Sequence, residues 1–530
     1  MIIVVAKDGT GDYSSVQAAV DAAVEGDVIY IRPGVYEGRV VVNKNMLTLR
    51  GEDAENCVIT ARGCAKDKDE NGKERGTFHS WTLLVTGNDV LVRDLTVRND
   101  AGDGSVAGQA VAVYAAGDRD LWKNVRMIAH QDTLFCGPTM PKIQKDVLPR
   151  EIPAGVESVG DCPEVFARQY FEECLIRGDV DFIFGPYRCY FERCTLYMNE
   201  RGGYYTAANT PEACEYGMVF HQCVLTGEGM GYLGRPWRKF ARTAFIDCEM
   251  DEHVYPWGFC DWDENRVVTE RLCEYRTRGA RADLSVRHPS EGILTGDEAA
   301  YYAKEKVLSG WEGNFVQVYL AGDSTMCDYP SSAFPRTGWG QTLKNMVIPG
   351  ARVCNCAVSG RSTKSFISEG HFDRIKLCLE KDDLFVIQFG HNDEKLQDPA
   401  RGTEPEGEYS DNLRLFIDAA RNAGAAPLLM TSIARRRFEN GKPVYTHGAY
   451  PDACKKVADE EKVLLLDHEG ATMKALELAG EEGSKELYNW IPAGHVNYPS
   501  GETDNSHLSA KGADLYAGIS GITDVLNNIR

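Results

Sequence analysis

The sequence lacks several features that would place it in other classes of protein. No apolar run approaches the roughly 20 residues that span a bilayer. The opening segment, Met1 to Asp8, has only a short apolar run with no basic segment before it, which predicts a first strand rather than a signal peptide. Basic residues are in deficit, since 58 Lys and Arg against 79 Asp and Glu leave a net charge of −21. We therefore expect no membrane span and no nucleic-acid partner, because phosphate binding needs a basic surface.

The 17 cysteines form no pattern typical of a metal or redox site. There is no CxxC motif and no Cys/His cluster with zinc spacing, and Cys354 and Cys356 are only two positions apart. An odd number of cysteines without a visible signal peptide predicts reduced, buried thiols and a cytoplasmic location. A secreted protein stays possible if a leader is missing from the sequence. No cofactor or metal ion is predicted.

The first part of the chain has a loose repeat. After a short helix predicted at 16–23, similar strand-like segments recur mostly 20 to 30 residues apart, with one longer gap. The repeat is marked by a polar or thiol residue, taken as Asp94, Asn124, Cys174, Cys194, Cys223 and Cys248. Such spacing is typical of a solenoid with loops of varying length, whose stacked cysteines belong to the core. Residues 136–168, rich in Pro, Gly and charge, are predicted to be a surface excursion beside a cleft.

Two carboxylates lie in the apolar segment 178–185, between glycines. As a strand, this segment would place Asp179, Asp181 and Ile183 on one face. Burying a carboxylate is costly unless a partner compensates it, so the pair indicates either a site or a structural aspartate at a turn.

Four separated motifs, GQAVA at 108–112, QDTL at 131–134, DFIFG at 181–185 and LGRPW at 233–237, resemble those of the pectin methylesterases, carbohydrate esterase family 8. The resemblance covers about residues 1–313 and implies a right-handed parallel β-helix that hydrolyses galacturonate methyl esters. It implies Asp181 as the nucleophile and Asp132 as the acid/base. Arg235 would keep Asp181 ionised. The resemblance further implies oxyanion donors at Gln109 and Gln131, and substrate contacts at Trp237, Phe135, Phe184 and Val180. Phe135 and Phe184 could equally be core aromatics.

Beyond a predicted helix at 295–311 and a boundary near Asn314, apolar strands alternate with helices. Strands are expected at 315–320, 384–389, 427–431 and 463–467, with a helix at 411–423. This alternation predicts a parallel sheet covered on both faces, with chemistry at the carboxyl ends of its strands.

The second domain, 314–530, has four polar motifs, three of them at predicted strand ends and one near the C-terminus. They are GDST at 322–325, SGRS at 359–362, GHND at 390–393 and DNSH at 504–507. Together they resemble the SGNH hydrolases, whose three-layer α/β fold is flavodoxin-like, and within them the rhamnogalacturonan acetylesterases of carbohydrate esterase family 12. The resemblance implies Ser324 as nucleophile, His507 as base and Asp504 as its orienting partner. It also implies an oxyanion hole formed by the N–H groups of Ser324 and Gly360 and by the Asn392 amide. His391, His447 and His495 are expected to lie behind the site or on the surface.

These resemblances predict a bifunctional pectin deesterase that takes pectin-derived oligo- or polysaccharides, with an oligomeric state that the sequence leaves open. A pectate lyase or polygalacturonase on the same solenoid would need calcium ligands or an aspartate cluster that we do not find. A second alternative is a carbohydrate-binding β-helix attached to one acetylesterase that acts on another polysaccharide, such as xylan. The complete set of Asp132, Asp181 and Arg235 disfavours it.

Overall fold

The fold is given by a computed structural model, which describes residues 1–68, 70–138, 167–262, 271–289, 291–347 and 350–529. Most of the predicted excursion at 136–168 lies outside these residues. The chain divides into two compact units. One is Ile3–Asn314, and the other is Phe315–Arg530 together with Met1–Ile2.

The N-terminal unit winds through three parallel sheets, so the predicted parallel β-helix is confirmed. The strands of the first sheet are Ile2–Val5, Val28–Ile31, Thr48–Gly51, Leu91–Arg93, Asp120–Lys123, Arg168–Glu172, Arg188–Glu192, Met218–His221, Arg242–Ile246, Arg271–Tyr275 and Gly292–Ile293. Those of the second are Gly34–Glu37, Cys57–Ala61, Thr96–Asn99, Arg126–Ile128, Leu175–Gly178, Thr195–Met198, Val224–Gly227 and Glu249–Met250. Those of the third are Val40–Val42, Leu83–Val85, Val113–Ala115, Leu134–Cys136, Ile183–Gly185, Gly203–Ala208 and Gly231–Gly234.

From the strand Leu91–Arg93 onward, the coils turn from the first sheet to the second at one residue with a left-handed backbone. This position is held by Asp94, Asn124, Glu173, Arg193, Gln222 and Asp247, whose φ angles lie between 50° and 54°. The sequence marker was therefore one residue late from the third repeat onward, because the cysteine follows the turn residue instead of occupying it. Non-glycine residues adopt this conformation only where the surrounding structure fixes it, here by the same turn in these six successive coils.

The solenoid core is filled by columns of like side chains. Cys174, Cys194, Cys223 and Cys248 are at most 1% exposed, which confirms that they are core residues. The rings of Phe171, Phe191, Phe220 and Phe245 stack on consecutive coils with centroids 4.4–4.6 Å apart. Each coil thus buries its apolar side chains against its neighbours, which is how a solenoid obtains a continuous core.

The acidic segment 178–185 is not a single strand. One strand ends at Gly178 and the next begins at Ile183, and Asp181 between them has a φ of 51°. The prediction that Asp179, Asp181 and Ile183 share one strand face is wrong. A turn separates the two aspartates instead, and their side chains lie in different environments, which are described below.

The C-terminal unit has a five-stranded parallel sheet in the order Ala351–Asn355, Val316–Gly322, Leu384–Gln388, Ala426–Met430 and Leu464–Leu466. Numbered along the chain this order is 2-1-3-4-5, the flavodoxin-like arrangement, so the predicted class is confirmed. Two antiparallel pairs accompany it, Phe438–Glu439 with Lys442–Pro443 and Tyr488–Ile491 with Glu502–Leu508. Its helices are Trp339–Leu343, Thr363–Ser368, His371–Cys378, Ser410–Ala423, Tyr450–Glu461, His468–Gly483, Ala510–Gly518 and Ile522–Ile529.

The helix predicted at 411–423 is confirmed, whereas the one predicted at 295–311 is wrong in detail. That segment forms short pieces, Gly296–Ala299, Ala300–Tyr302 and Lys304–Val307, behind a capping box between Thr295 and Glu298. The N-terminal unit also has the α-helices Val16–Ala22 and Gly104–Ala107. The strand Ala351–Asn355 was not predicted, although the polar motif that follows it was.

Candidate active sites

The first site is a cavity of about 290 Å³ beside the third sheet of the β-helix. Seven of the predicted residues line it, namely Gln109, Gln131, Asp132, Asp181, Phe184, Arg235 and Trp237. They come from positions more than 120 residues apart in the chain. The winding of the solenoid brings them together, as the four motifs required.

The two catalytic carboxylate candidates occupy the same position on neighbouring coils. Leu134 pairs with Ile183, and the Asp132 N–H donates to the carbonyl of Val180, which places Asp132 beside Asp181. Both have a left-handed backbone, with φ angles of 64° and 51°. Neighbouring strands lie about 4.8 Å apart. The backbone repeat therefore sets the spacing between the two residues.

Arg235 holds Asp181 with a two-pronged contact. Its Nε donates to Asp181 Oδ1 at 2.9 Å and its Nη2 donates to Oδ2 at 2.6 Å. The guanidinium is also packed against two rings, with Cζ 4.1 Å from the centroid of Tyr204 and 4.3 Å from that of Trp262. A planar fork of this kind fixes the carboxylate in orientation as well as in charge.

Electrostatics separate the two carboxyl groups. Burial raises the pKa of Asp132 well above its usual range, and the charge of Asp181 raises it further. Burial also raises the pKa of Asp181, but less than that of Asp132, because the hydrogen bonds and charge of Arg235 oppose the shift. The arrangement therefore favours a protonated Asp132 beside an ionised Asp181, which are the states that a general acid and a nucleophile require.

The predicted sugar platform is only partly correct. Trp237 and Phe184 line the cavity, with ring centroids 6.0 Å apart. Phe135 does not reach it, because its ring is fully buried and packs edge-on against Tyr114 with centroids 4.7 Å apart. Its prediction as a substrate contact is wrong, and it supports the floor of the cavity. Val180 lies in the turn before Asp181, and its carbonyl holds Asp132.

Asp179 belongs to a different environment from Asp181. It is fully buried, and its Oδ2 lies 3.0 Å from His130 Nδ1 while its Oδ1 lies 3.5 Å from Arg201 Nη1. His130 and Arg201 line a separate cleft. Asp179 is therefore a compensated structural carboxylate, although its charge still contributes to the raised pKa of Asp132.

Four further residues line the first cavity and were not singled out in the sequence. They are Thr77, Phe78, Ala207 and Trp262. Thr77 and Phe78 come from a 3-10 turn in a loop, and Trp262 lies between the strands Glu249–Met250 and Arg271–Tyr275. Ala207 lies in the strand Gly203–Ala208, whereas the other three come from segments outside the strands, where no periodicity marks them.

The second site stands at one edge of the C-terminal sheet. Ser324, Gly360 and Asn392 each follow a strand, and these three strands are neighbours in the sheet. The carboxyl ends of parallel strands meet at one edge, so the structure confirms the predicted placement.

Ser324, His507 and Asp504 form a hydrogen-bonded chain. Ser324 Oγ lies 2.9 Å from His507 Nε2, and His507 Nδ1 lies 2.6 Å from Asp504 Oδ2. The N–H groups of Ser506 and His507 both donate to Asp504 Oδ1, at 2.8 and 3.0 Å. Although burial alone would raise it, these hydrogen bonds lower the pKa of Asp504 to about 2. Asp504 is thus ionised and fixed, as the partner of a catalytic imidazole must be.

The expected oxyanion donors are free to act. Among the described residues, the N–H groups of Ser324 and Gly360 donate no hydrogen bond within the protein. Gly360 has a φ of 80°, a left-handed conformation that suits glycine. Asn392 is 3% exposed and donates one Nδ2–H to the carbonyl of Arg361 at 3.0 Å.

The neighbouring histidines are arranged more specifically than the sequence indicated. His447 Nδ1 lies 2.8 Å from Glu469 Oε1, and its Nε2 lies 3.1 Å from His391 Nδ1. All three side chains are buried, so His391 and His447 lie behind the site as expected. His495 belongs to a half-exposed loop, where its ring accepts from the N–H of Asn497.

Within the described ranges, no group of three or more His, Cys, Asp or Glu side chains is placed to hold a metal ion. In the same part of the chain, no helix has both the length and the apolar character that crossing a bilayer requires. The described cysteines are free thiols, most of them buried.

Comparison with known families divides the chain in the same way as its motifs. The family model described as Pectinesterase matches residues 2–139 and 164–311. The model described as GDSL-like Lipase/Acylhydrolase family matches residues 320–515.

Individual relatives match one part of the chain each. Rhamnogalacturonan acetylesterase RhgT of Bacillus subtilis is 45% identical over 200 residues, which covers 37% of this chain and 84% of the relative. Pectinesterase 31 of Arabidopsis thaliana is 32% identical over 314 residues, covering 56% of this chain and 89% of the relative. The solved pectin methylesterase from carrot is 28% identical with a TM-score of 0.49, over 58% of this chain and 93% of that one.

Proposed function

Because this chain belongs to the Pectinesterase family through residues 2–139 and 164–311, and to the GDSL-like lipase/acylhydrolase family through residues 320–515, we propose that it is a bifunctional pectin deesterase. The N-terminal unit removes methyl groups from galacturonate methyl esters. The C-terminal unit removes acetyl groups from pectin or rhamnogalacturonan, the polymer named for its relative of 45% identity. We place the domains at 1–313 and 314–530.

The observation that carries the first activity is the bidentate pairing of Arg235 with Asp181 beside a buried Asp132. Asp181 attacks the ester carbonyl carbon, and Asp132 gives its proton to the departing methanol. The resulting anhydride is cleaved by a water molecule that Asp132, now ionised, deprotonates. The net result is one water consumed and one methanol released for each free carboxylate formed. Gln109 and Gln131 donate to the developing oxyanion, and Trp237 with Phe184 offers apolar surface to the sugar.

The second activity depends on the Ser324–His507–Asp504 chain. His507 Nε2 accepts the Ser324 hydroxyl proton as Oγ attacks the acetyl carbonyl, and it returns this proton to the departing sugar hydroxyl. Water then releases acetate from the acyl-serine by the same proton path in reverse. The N–H groups of Ser324 and Gly360 and the Asn392 amide stabilise both tetrahedral intermediates.

Membership of the Pectinesterase family over more than half of the chain does not support the alternative of a binding solenoid with a xylan-directed esterase. The test is a hydrolysis screen on methylated pectin, acetylated pectin, acetylated rhamnogalacturonan and acetylated xylan. We expect methanol from the first, and acetate from the second and third in preference to the fourth. Absence of methanol from methylated pectin would contradict the first activity, and preference for xylan would contradict the second.

We also propose a reducing, cytoplasmic location in which imported oligosaccharides are the substrates. The odd and large number of cysteines, 17, supports it. Thiol labelling of the protein from its native source tests this proposal, with nearly all cysteines expected to be reactive after unfolding without reductant. Recovery of the protein outside the cell, or extensive disulfide bonding, would contradict it.

A further inference from the structure

Lys395 has an unusual environment beside the serine site. Its Nζ donates to Asn392 Oδ1 at 2.7 Å. Within the described residues, the Lys395 side chain makes this one hydrogen bond. No described carboxylate oxygen lies within 4 Å of its Nζ, whereas the nearby Arg435 is paired with Glu394. A partly buried ammonium without a close counter-ion is energetically costly, because desolvation disfavours the charge.

The Asn392 carboxamide is held at both ends by groups of opposite polarity. Lys395 Nζ can only donate, so it faces the amide oxygen, and the carbonyl of Arg361 can only accept, so it faces the amide nitrogen at 3.0 Å. If the amide rotated by 180°, donor would face donor and acceptor would face acceptor. One orientation is therefore fixed, and it leaves the second Nδ2–H of Asn392 without a described partner.

The same contacts tie two parts of the oxyanion hole together. Arg361, whose carbonyl receives the first Nδ2–H, directly follows Gly360, whose N–H is another oxyanion donor. Lys395 is three residues after Asn392, and its N–H donates to the Asn392 carbonyl at 3.2 Å, so a tight turn brings its side chain back over the amide. Lys395, Asn392 and the loop of Gly360 thus form one connected unit at the edge of the sheet.

We propose that Lys395 is a positioning residue for acetyl hydrolysis, which locks the Asn392 amide with its second N–H directed at the oxyanion. The proposal rests on the proposed acetylesterase function. The surroundings of Lys395 are not those of an ordinary ion pair. Burial lowers the pKa of Lys395, and the charges of Arg401 and Arg435 lower it further, while Asp323 and Glu394 only partly offset these effects. Lys395 acts through Asn392, so the effect of removing it depends on whether Asn392 is present.

The test is a double-mutant cycle with 4-nitrophenyl acetate, a neutral ester that carries no sugar carboxylate. The variants are Lys395→Met, Asn392→Ala and the double variant, with Lys395→Arg as the conservative change. Lys364→Met is the matched control, because Lys364 pairs with the exposed Glu408 at 3.1 Å. Thermal unfolding of each variant checks that it is folded.

We expect Lys395→Met to lower kcat at least about tenfold with little change in KM, since loss of one whole oxyanion donor costs about 100- to 1,000-fold. Lys395→Arg should retain most of the activity and Lys364→Met nearly all of it. In the Asn392→Ala background, Lys395→Met should cost less than about twofold. A full additive loss in that background, or a Lys395→Met variant within about twofold of wild type, would overturn the proposal. Failure of Ser324→Ala to abolish the activity would instead contradict the proposed function itself.

Discussion

Replacement of Arg235 by lysine tests whether the first site depends on a planar fork or only on a positive charge. Arg235 makes two hydrogen bonds to Asp181, and the two side chains are only 22% and 10% exposed, so solvent screens the pair weakly. Lysine can replace one of these bonds at best. A hydrogen bond to a charged group contributes about 1.5–3 kcal/mol, so kcat for methanol release should fall roughly tenfold to 150-fold. The packing of the planar guanidinium against the rings of Tyr204 and Trp262 would be lost as well.

The assay is methanol release from methylated pectin under saturating conditions. Arg276→Lys is the matched control, since Arg276 pairs with Asp247 at 3.1 Å but is 65% exposed, and an exposed pair contributes little. Acetate release by the same preparations reports whether the C-terminal unit is intact. A folded Arg235→Lys variant within threefold of wild type would refute the reasoning, because charge alone would then be sufficient for Asp181.

Three further outcomes are expected. Asp181→Asn should abolish methanol release and spare acetate release, and Ser324→Ala should do the reverse; loss of both activities in one folded variant would show that the sites are coupled. Asp179→Asn removes a negative charge that helps to raise the pKa of Asp132, so the acid form should be lost at a lower pH and the alkaline limb of methylesterase activity should move down; an unmoved limb in the pH–rate profile would count against Asp132 as the acid. Asp504→Asn should lower kcat for acetate release at least about 100-fold, because the imidazole loses the partner that fixes its tautomer. Since the pKa of Asp504 is lowered to about 2, any loss of wild-type acetate release on acidification above about pH 4 should not come from Asp504. If the acid limb of the pH–rate profile disappears in this variant, that assignment is contradicted.

Prediction from sequence succeeded where chemistry and repetition constrain the residues. The parallel sheets and the buried cysteine column agree with the strand patterns and the repeat, and the hydrogen-bonded chain of Ser324, His507 and Asp504 agrees with what the family resemblance implied. It failed where the chain changes direction. A period-two pattern cannot reveal the left-handed residue at Asp181, since alternation looks the same whether or not a turn interrupts it.

Side chains contributed by loops were also beyond sequence reasoning. Phe78 and Trp262 enter the first cavity from segments with no periodicity, and Phe135 was mistaken for a substrate contact because an aromatic residue beside a catalytic motif can point to either side of the sheet. Asn392 and Asp393 are typical turn residues, but a turn signature does not reveal that the Lys395 side chain returns to the Asn392 amide.

The placement of Asp132 and Asp181 on equivalent rungs has a consequence for how such an enzyme can change over evolutionary time. Their separation is inherited from the pitch of the solenoid, and no side chain or loop has to set it. Loops that leave the coils can therefore lengthen, shorten or change composition, and so alter which sugars are admitted, while the distance between acid and nucleophile stays the same. Conversely, a whole coil inserted between the two rungs would separate the carboxylates by a further repeat of about 4.8 Å. Substrate preference can drift freely on this scaffold, whereas the reaction itself is tied to an unbroken pair of adjacent coils.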